Sequence, residues 1–130
     1  MQKDSSLSPP ITRVILYVKN VSAVSAFYQK YFRMTPLPGA TSGWVELAGA
    51  AGGCNIALHQ AAKTQKSGSA VKLVFGVDDV RGLKTELEHA GMRLGVVHAV
   101  DGVEFANAKD PAGNSIQISN RGMSRAGSRA

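Results

Sequence analysis

Asp110-Pro111-Ala112-Gly113-Asn114-Ser115-Ile116-Gln117-Ile118-Ser119 reads as a tight turn feeding a short strand. Pro111 fixes φ, and Gly113 and Asn114 accept the left-handed conformation that such a turn needs. From Ser115 onward the residues alternate. Ile116 and Ile118 point one way, while Ser115, Gln117 and Ser119 point the other. A strand with one apolar and one polar face lies between a core and something wet. The wet side is expected to be a ligand cavity.

The same alternation appears upstream. Val14, Leu16 and Val18, set against Arg13, Ile15 and Tyr17, predict a first strand within residues 11–18. Asn20 or Ser22 can cap the helix that follows. Its apolar stripe is expected at Val24, Phe27, Tyr28 and Tyr31, strengthened by Phe32. Pro36, Pro38 and Gly39 end the helix and open a loop. Strands are then expected over 44–47 and 55–59, joined by a hairpin marked by Gly49, Gly52 and Gly53. In the second of them Ile56 and Leu58 share one face, and Ala57 and His59 the other.

After a surface linker over 61–69 the pattern starts again. Val71, Leu73, Phe75 and Val77 alternate with Lys72, Val74 and Gly76. Asp78 or Asp79 caps a second helix with an apolar stripe at Leu83, Leu87 and Ala90, and Gly91 closes it. Strands are expected over 92–97, 103–108 and 115–119. The two halves match at spacings of 58 or 59: Arg13 with Lys72 and Val18 with Val77 at 59, Val45-Glu46-Leu47 with Val103-Glu104-Phe105 and His59 with Gln117 at 58. Duplication of one unit is the simplest account. The organisation expected is a flexible leader over 1–10, module one over 11–60, the linker, module two over 70–120 and a disordered basic tail over 121–130. The fold class read from this order is α+β.

Composition narrows the function classes. At 130 residues the chain suffices for one domain with a sizeable core. The net charge of +6 raises the question of nucleic acid, but Lys3, Arg121, Arg125 and Arg129 lie in the two tails against Asp4 alone. The remaining body has 11 basic and 8 acidic residues and no basic cluster interleaved with aromatics, so nucleic acid is not expected as a partner. No apolar run approaches the ~20 residues of a membrane span, so no membrane partner is expected. The single Cys54 excludes an internal disulfide framework and fits a cytoplasmic protein; it has no neighbouring His to make it a nucleophile. Phosphate-binding Walker loops, Gly-x-Ser-x-Gly elbows and His-Glu-x-x-His helices are missing from the sequence.

Val14-Ile15-Leu16-Tyr17-Val18-Lys19-Asn20-Val21 leading into Ala26-Phe27-Tyr28, then Leu73-Val74-Phe75-Gly76-Val77-Asp78-Asp79-Val80, then Asp110-Pro111-Ala112-Gly113-Asn114, together resemble the vicinal oxygen chelate superfamily of glyoxalases, extradiol dioxygenases and bleomycin-resistance proteins. The resemblance covers residues 11–120. It implies an α+β fold of two βαβββ modules, with helices outside curved sheets that enclose a cavity, and a homodimer. It also implies a divalent metal in some members, held by His or Glu on the first and last strands of each module. Carried over by position, those ligands fall on Arg13, His59, Lys72 and Gln117. Arg13 has no lone pair to donate, and Lys72 donates only as the neutral amine. Two cations repel a divalent ion, and His59 with Gln117 is too small a set to hold one. No metal or other cofactor is therefore expected.

The remaining polar residues leave alternatives open. Trp44 and Glu46, and by the same phase Glu104, are expected on the cavity side. Arg13 and Lys72 either pair with Glu46 and Glu104 as structural replacements for the metal or receive an anionic or carbonyl-bearing ligand. His59 is either a hydrogen-bonded structural imidazole or a general base, and Glu46 or Glu104 is an alternative acid or base. Tyr17 and Trp44 either stack a planar ligand or fill a dimer interface; Phe105 is expected in the helix-facing core. His89 and His98 are expected at the surface. The ligand-binding set is thus Arg13, Tyr17, Trp44, Glu46, His59, Lys72, Glu104 and Gln117. A metal-free small-molecule binder is the first expectation. A lyase or dioxygenase-type enzyme with an atypical site, and an interaction dimer without a ligand, are the alternatives.

Overall fold

The computed structural model describes residues 11–49, 53–64 and 71–123. The leader 1–10, the tail from 124, linker positions 65–69 and Gly52 of the hairpin lie outside these. The chain divides into two compact units, with the boundary between Gln65 and Lys66. Unit one contains β1 (Arg13–Val18), α1 (Val21–Phe32), β2 (Thr35–Pro36), β3 (Trp44–Ala48) and β4 (Asn55–Gln60). Unit two repeats the order with β5 (Lys72–Gly76), α2 (Val80–His89), β6 (His98–Val100), β7 (Val103–Lys109) and β8 (Ser115–Ser119). Each is a βαβββ unit. Each four-stranded sheet places its last strand beside its first, in the orders β1-β4-β3-β2 and β5-β8-β7-β6. The first and last strands pair in parallel and the other neighbours antiparallel.

The helix start signals act as the residues dictate. Asn20 Oδ1 accepts from the Ala23 N–H at 2.9 Å, and Asp79 Oδ1 accepts from the Gly82 N–H at 2.9 Å. Each satisfies one of the donors that a helix start leaves without an internal partner. Helix α1 stops at Arg33, which takes the left-handed conformation and donates its N–H to the Tyr28 carbonyl. Behind α2, Gly91 has φ +106°, a conformation that costs a residue with a Cβ far more.

The core of unit one packs Leu16 and Val18 of β1, Leu47 of β3, and Ile56 and Leu58 of β4 against Val21, Val24 and Tyr28 of α1. The buried stripe of α1 is thus Val21, Val24, Ser25 and Tyr28, rotated from the expected one. Phe27, Tyr31 and Phe32 are only half-buried and form an aromatic flank beside Tyr28. In unit two, Val80 and Leu87 of α2 cover Ala106, Ile116 and Ile118, while Ala90 is exposed because it caps the helix. Each fully buried aliphatic side chain contributes roughly 1.5–3 kcal/mol of burial free energy.

Three further expectations change. Thr35–Pro36, expected as loop, pairs with Ala48 and Leu47 as an edge strand, where proline is tolerated because one side needs no ladder donor. Residues 92–97 are not a strand. Met92 N–H donates to the Leu87 carbonyl to finish α2, and the edge strand β6 begins at His98 instead. Ala61, placed in the linker, is buried in unit one, and its N–H donates to the Val18 carbonyl at 2.8 Å. At the far end, Arg121 and Met123 donate backbone N–H groups to Ser119 Oγ and the Asn120 carbonyl, so the ordered chain continues beyond β8.

The turn before β8 is held by a buried carboxylate. Asp110 Oδ1 accepts from the Ala112 and Asn114 N–H groups at 2.9 and 2.8 Å, and Oδ2 accepts from Asn114 Nδ2 at 2.9 Å. Gly113 at φ +88° closes the turn. This box delivers β8 to its place between β5 and β7.

Candidate functional site

In each unit one sheet face carries the helix and the other does not. Register assigns the helix-free residues to rows that cross three strands. In unit one the rows are Arg13 with Asn55, then Ile15, Ala57 and Glu46, then Tyr17, His59 and Trp44. In unit two they are Lys72, Ser115 and Lys109, then Val74, Gln117 and Asn107, then Gly76, Ser119 and Phe105. Of the expected site residues, Arg13, Tyr17, Trp44, Glu46 and His59 share the helix-free face of unit one. Lys72 and Gln117 share that of unit two.

Glu104 does not. It lies one residue out of phase with Asn107, on the helix side, and accepts from Arg81 Nε of α2 at 3.1 Å. Phe105 is the residue on the helix-free face, where it stacks with His98 at 5.1 Å between centroids. The pairing of His59 with Gln117 also fails. The first strands repeat at 59 residues, since Arg13 takes the place of Lys72. The last strands repeat at 60 and the third strands of the two units at 61. The counterpart of Gln117 is therefore Ala57, that of His59 is Ser119, and that of Glu46 is Asn107. A single offset cannot find these pairs, because loop lengths between the strands differ in the two units.

The two rows nearest Arg13 form a closed ion pair. Arg13 donates from Nε to Glu46 Oε2 at 2.8 Å and from its terminal nitrogen to Oε1 at 3.2 Å. Asn55 Nδ2 adds a third donor to Oε2 at 3.0 Å. The hydrogen bonds from Arg13 and then Asn55 hold the Glu46 carboxyl below its ordinary pKa, and the same contact raises that of Arg13. A carboxylate whose folded pKa is depressed stabilises the fold above its unfolded pKa, and the contribution disappears as pH falls through the lower, folded value. Acid unfolding of Glu46→Gln is therefore expected to depend less on pH than that of the parent below about pH 4.5. Parallel acid titrations followed by circular dichroism check this, and identical slopes refute it.

The third row is aromatic. His59 lies 5.0 Å from Tyr17, tilted by 47°, and 5.9 Å from Trp44, edge to face. His59 Nδ1 is 2.8 Å from the Gln60 carbonyl. A carbonyl only accepts, so Nδ1 carries a proton, and in the neutral ring the lone pair is on Nε2. Tyr17 of this row and Ile15 of the row beside it are each 40 % exposed, so the face presents open apolar surface.

In unit two the counterpart of Tyr17 is Gly76. A Cβ there would lie 2.7 Å from Met123 Sδ, so the thioether of Met123 fills the space that a side chain would take.

The family metal does not fit these residues. Its positions, corrected by register, are Arg13, Ala57, Lys72 and Gln117. They supply two cations, a methyl group and a neutral amide, where a divalent ion needs imidazole, carboxylate or thiolate. Glu46, the register neighbour of Ala57, has both oxygens occupied by Arg13 and Asn55. Among the described residues no group of three or more His, Cys, Asp and Glu side chains is placed to hold an ion. Cys54 is exposed and unpaired by any disulfide.

The family model described as Glyoxalase/Bleomycin resistance protein/Dioxygenase superfamily matches residues 11–118. The chain belongs to this superfamily. The glyoxalase/bleomycin-resistance fold is shared with solved structures of low sequence identity. A lactoylglutathione lyase from Agrobacterium tumefaciens is 23% identical, with 86% of this chain and 94% of that chain covered at a TM-score of 0.68. TnmS3, an antibiotic binding protein from Streptomyces sp. CB03234, is 19% identical over 85% and 93% of the two chains, with a TM-score of 0.71. A glyoxalase/bleomycin resistance protein/dioxygenase from Nocardioides is 16% identical over 88% and 87%, with a TM-score of 0.72. A search of curated proteins returned no match. Among the described residues of this superfamily member, no helix is long and apolar enough to cross a membrane.

Proposed function

We propose that this glyoxalase/bleomycin-resistance superfamily protein binds a planar small molecule without a metal, as a cytoplasmic homodimer. The observation that carries the proposal is the row of Tyr17, His59 and Trp44, which offers ring faces and edges on the helix-free face of unit one. The replaced donors at Arg13, Ala57, Lys72 and Gln117 support a site that works without an ion. The likeness in fold to an antibiotic binding protein agrees with this, although fold alone does not assign activity. Homodimer formation is supported by the open strand edges that each sheet leaves, which are commonly covered by a second copy.

Trp44 is the chain's single tryptophan, so its fluorescence reports on this row directly. A panel of planar aromatic compounds, tested with and without EDTA, is expected to contain ligands that quench Trp44 and raise Tm equally in both conditions. Trp44→Ala is expected to weaken such a ligand roughly tenfold, about 1.4 kcal/mol. A divalent ion retained stoichiometrically by untagged protein, or binding that vanishes with EDTA, overturns the proposal.

One observation favours a second reading, that of an enzyme. The lone pair on His59 Nε2 leaves the imidazole able to take a proton from a bound molecule. Glu46 is occupied by Arg13 and Glu104 lies on the opposite face, so His59 is the remaining candidate base. His59→Gln would then abolish turnover while leaving binding within a few fold.

A further inference from the structure

The two helix-free faces differ in charge. In unit one the guanidinium of Arg13 is matched by Glu46 through two hydrogen bonds. In unit two the residue at the Glu46 position is Asn107, and the row beyond it carries a second cation, Lys109, where unit one has Ala48. Lys72 and Lys109 flank Ser115 in one row, because both are paired to it in register. Lys109 Nζ donates to Ser115 Oγ at 3.0 Å. Lys72 Nζ reaches Asn107 Oδ1 at 3.4 Å, and Gln117 Nε2 donates to the same oxygen at 2.9 Å. The partners of the two ammonium groups, Asn107 and Ser115, are therefore both neutral.

No carboxylate among the described residues shares this face. Glu104 is on the helix side with Arg81. Asp110, next to Lys109 in sequence, is buried and turned into its own loop, where both oxygens accept hydrogen bonds. Glu86 and Glu88 are on α2. Asp78 and Asp79 precede that helix, and Asp101 lies in the turn at the other end of β7. The face thus holds two lysines, a hydroxyl and an amide pair within three adjacent strands, and no acid to offset them. An oxyanion with two or more oxygens can accept from both ammonium groups and from the Ser115 hydroxyl at once.

We infer that the helix-free face of unit two is an oxyanion-binding site built by Lys72, Lys109 and Ser115, and that Asn107 sets its specificity by withholding the carboxylate that Glu46 supplies in unit one. The inference rests on the ligand-binding function proposed above and gives the chemistry of the group that this unit takes: a phosphate, or a carboxylate-bearing group.

The test uses the full chain, labelled with 15N, titrated with inorganic phosphate and separately with malonate, at ionic strength held constant by chloride. Saturable shifts are expected at the Lys72, Ser115 and Lys109 amides. A response to phosphate alone or malonate alone identifies which oxyanion is preferred, and either supports the site. Asn107→Glu, which retains an oxygen to accept from Lys72 and Gln117, is expected to weaken the response at least tenfold with the amide pattern otherwise preserved. Lys72→Ala and Lys109→Ala are expected to weaken it likewise, and Lys84→Ala, on α2 and paired with Glu88, to leave it unchanged. Absence of saturation with both anions overturns the inference, and so does an unchanged affinity in Asn107→Glu. The Trp44 titration is read separately. Aromatic ligands that bind while both anions fail leave the proposed function standing and remove only this site.

Discussion

Leu58→Ala is expected to destabilise the protein by about 2–5 kcal/mol, the range for removing most of a buried leucine side chain and leaving a cavity. Leu58 has no exposed surface and lies on the central pair of unit one's sheet, with β1 on one side and β3 on the other. Its register neighbours on those strands are Leu16 and Val45, and Leu47, Ile56 and Tyr28 belong to the same core. Strands hydrogen-bonded on both sides relax little, so most of the cavity should persist. For a chain of this size the loss corresponds to a fall in Tm on the order of 10 °C or more. Val74→Ala is the matched control. Val74 also sits in a sheet but is 57 % exposed, and its truncation should change stability by less than about 0.5 kcal/mol. Urea unfolding of both variants makes the comparison, and equal effects would show that the assignment of faces is wrong.

Asp110→Ala is expected to cost about 3 kcal/mol. The substitution leaves the Ala112 and Asn114 N–H groups and the Asn114 side-chain amide without their acceptor, and each buried orphan costs about 1–3 kcal/mol, partly recovered by water. Asp110→Asn separates shape from charge. Its carbonyl oxygen still accepts from the two backbone groups, but its Nδ2 then faces Asn114 Nδ2, donor against donor. An intermediate loss of about 1–2 kcal/mol is expected. A double variant that adds Asn114→Asp to Asp110→Asn restores one donor–acceptor pair, and urea titration should find it more stable than Asp110→Asn alone. If Asp110→Ala unfolds at the parent's urea midpoint, the turn is not what places β8.

The architecture was legible because alternation and capping are local signals. Val14, Leu16 and Val18 must share a face in any strand, and Asn20 and Asp79 cap helices through bonds to residues three positions away. Alternation within β1, β3 and β4 likewise puts Arg13, Tyr17, Trp44, Glu46 and His59 on one sheet face, the helix-free side of unit one. The errors arose where phase had to be carried across a loop of unknown length. Matching Glu46 to Glu104 used an offset of 58, whereas the offset grows from 59 at the first strand to 61 at the third strand of each unit, a slip of three residues whose odd count acts like a slip of one. A slip of one residue in a strand moves the side chain through the sheet. Glu104 accordingly sits against α2, and Phe105 takes the open side. The same slip hid Asn107, the residue that distinguishes the electrostatics of the two faces. The alternation of Ala106, Asn107 and Ala108 alone gave no reason to select it. The helix stripes also differ from the expected ones. Phe27 and Tyr31 lie half-buried on the flank of α1, whereas Val21, Val24 and Tyr28 carry its buried stripe.

Met123 beside Gly76 gives the second unit a different mechanical character from the first. Where unit one offers fixed rings, unit two offers an unbranched thioether supplied by a turn after β8, with several rotatable bonds. Such a group can swing aside for a bulkier visitor at the expense of a few rotamer changes, whereas rings braced against one another must move together. If the proposed function holds, the face of unit two should tolerate varied substituents beside Gly76, and the face of unit one should discriminate by outline through Tyr17, His59 and Trp44.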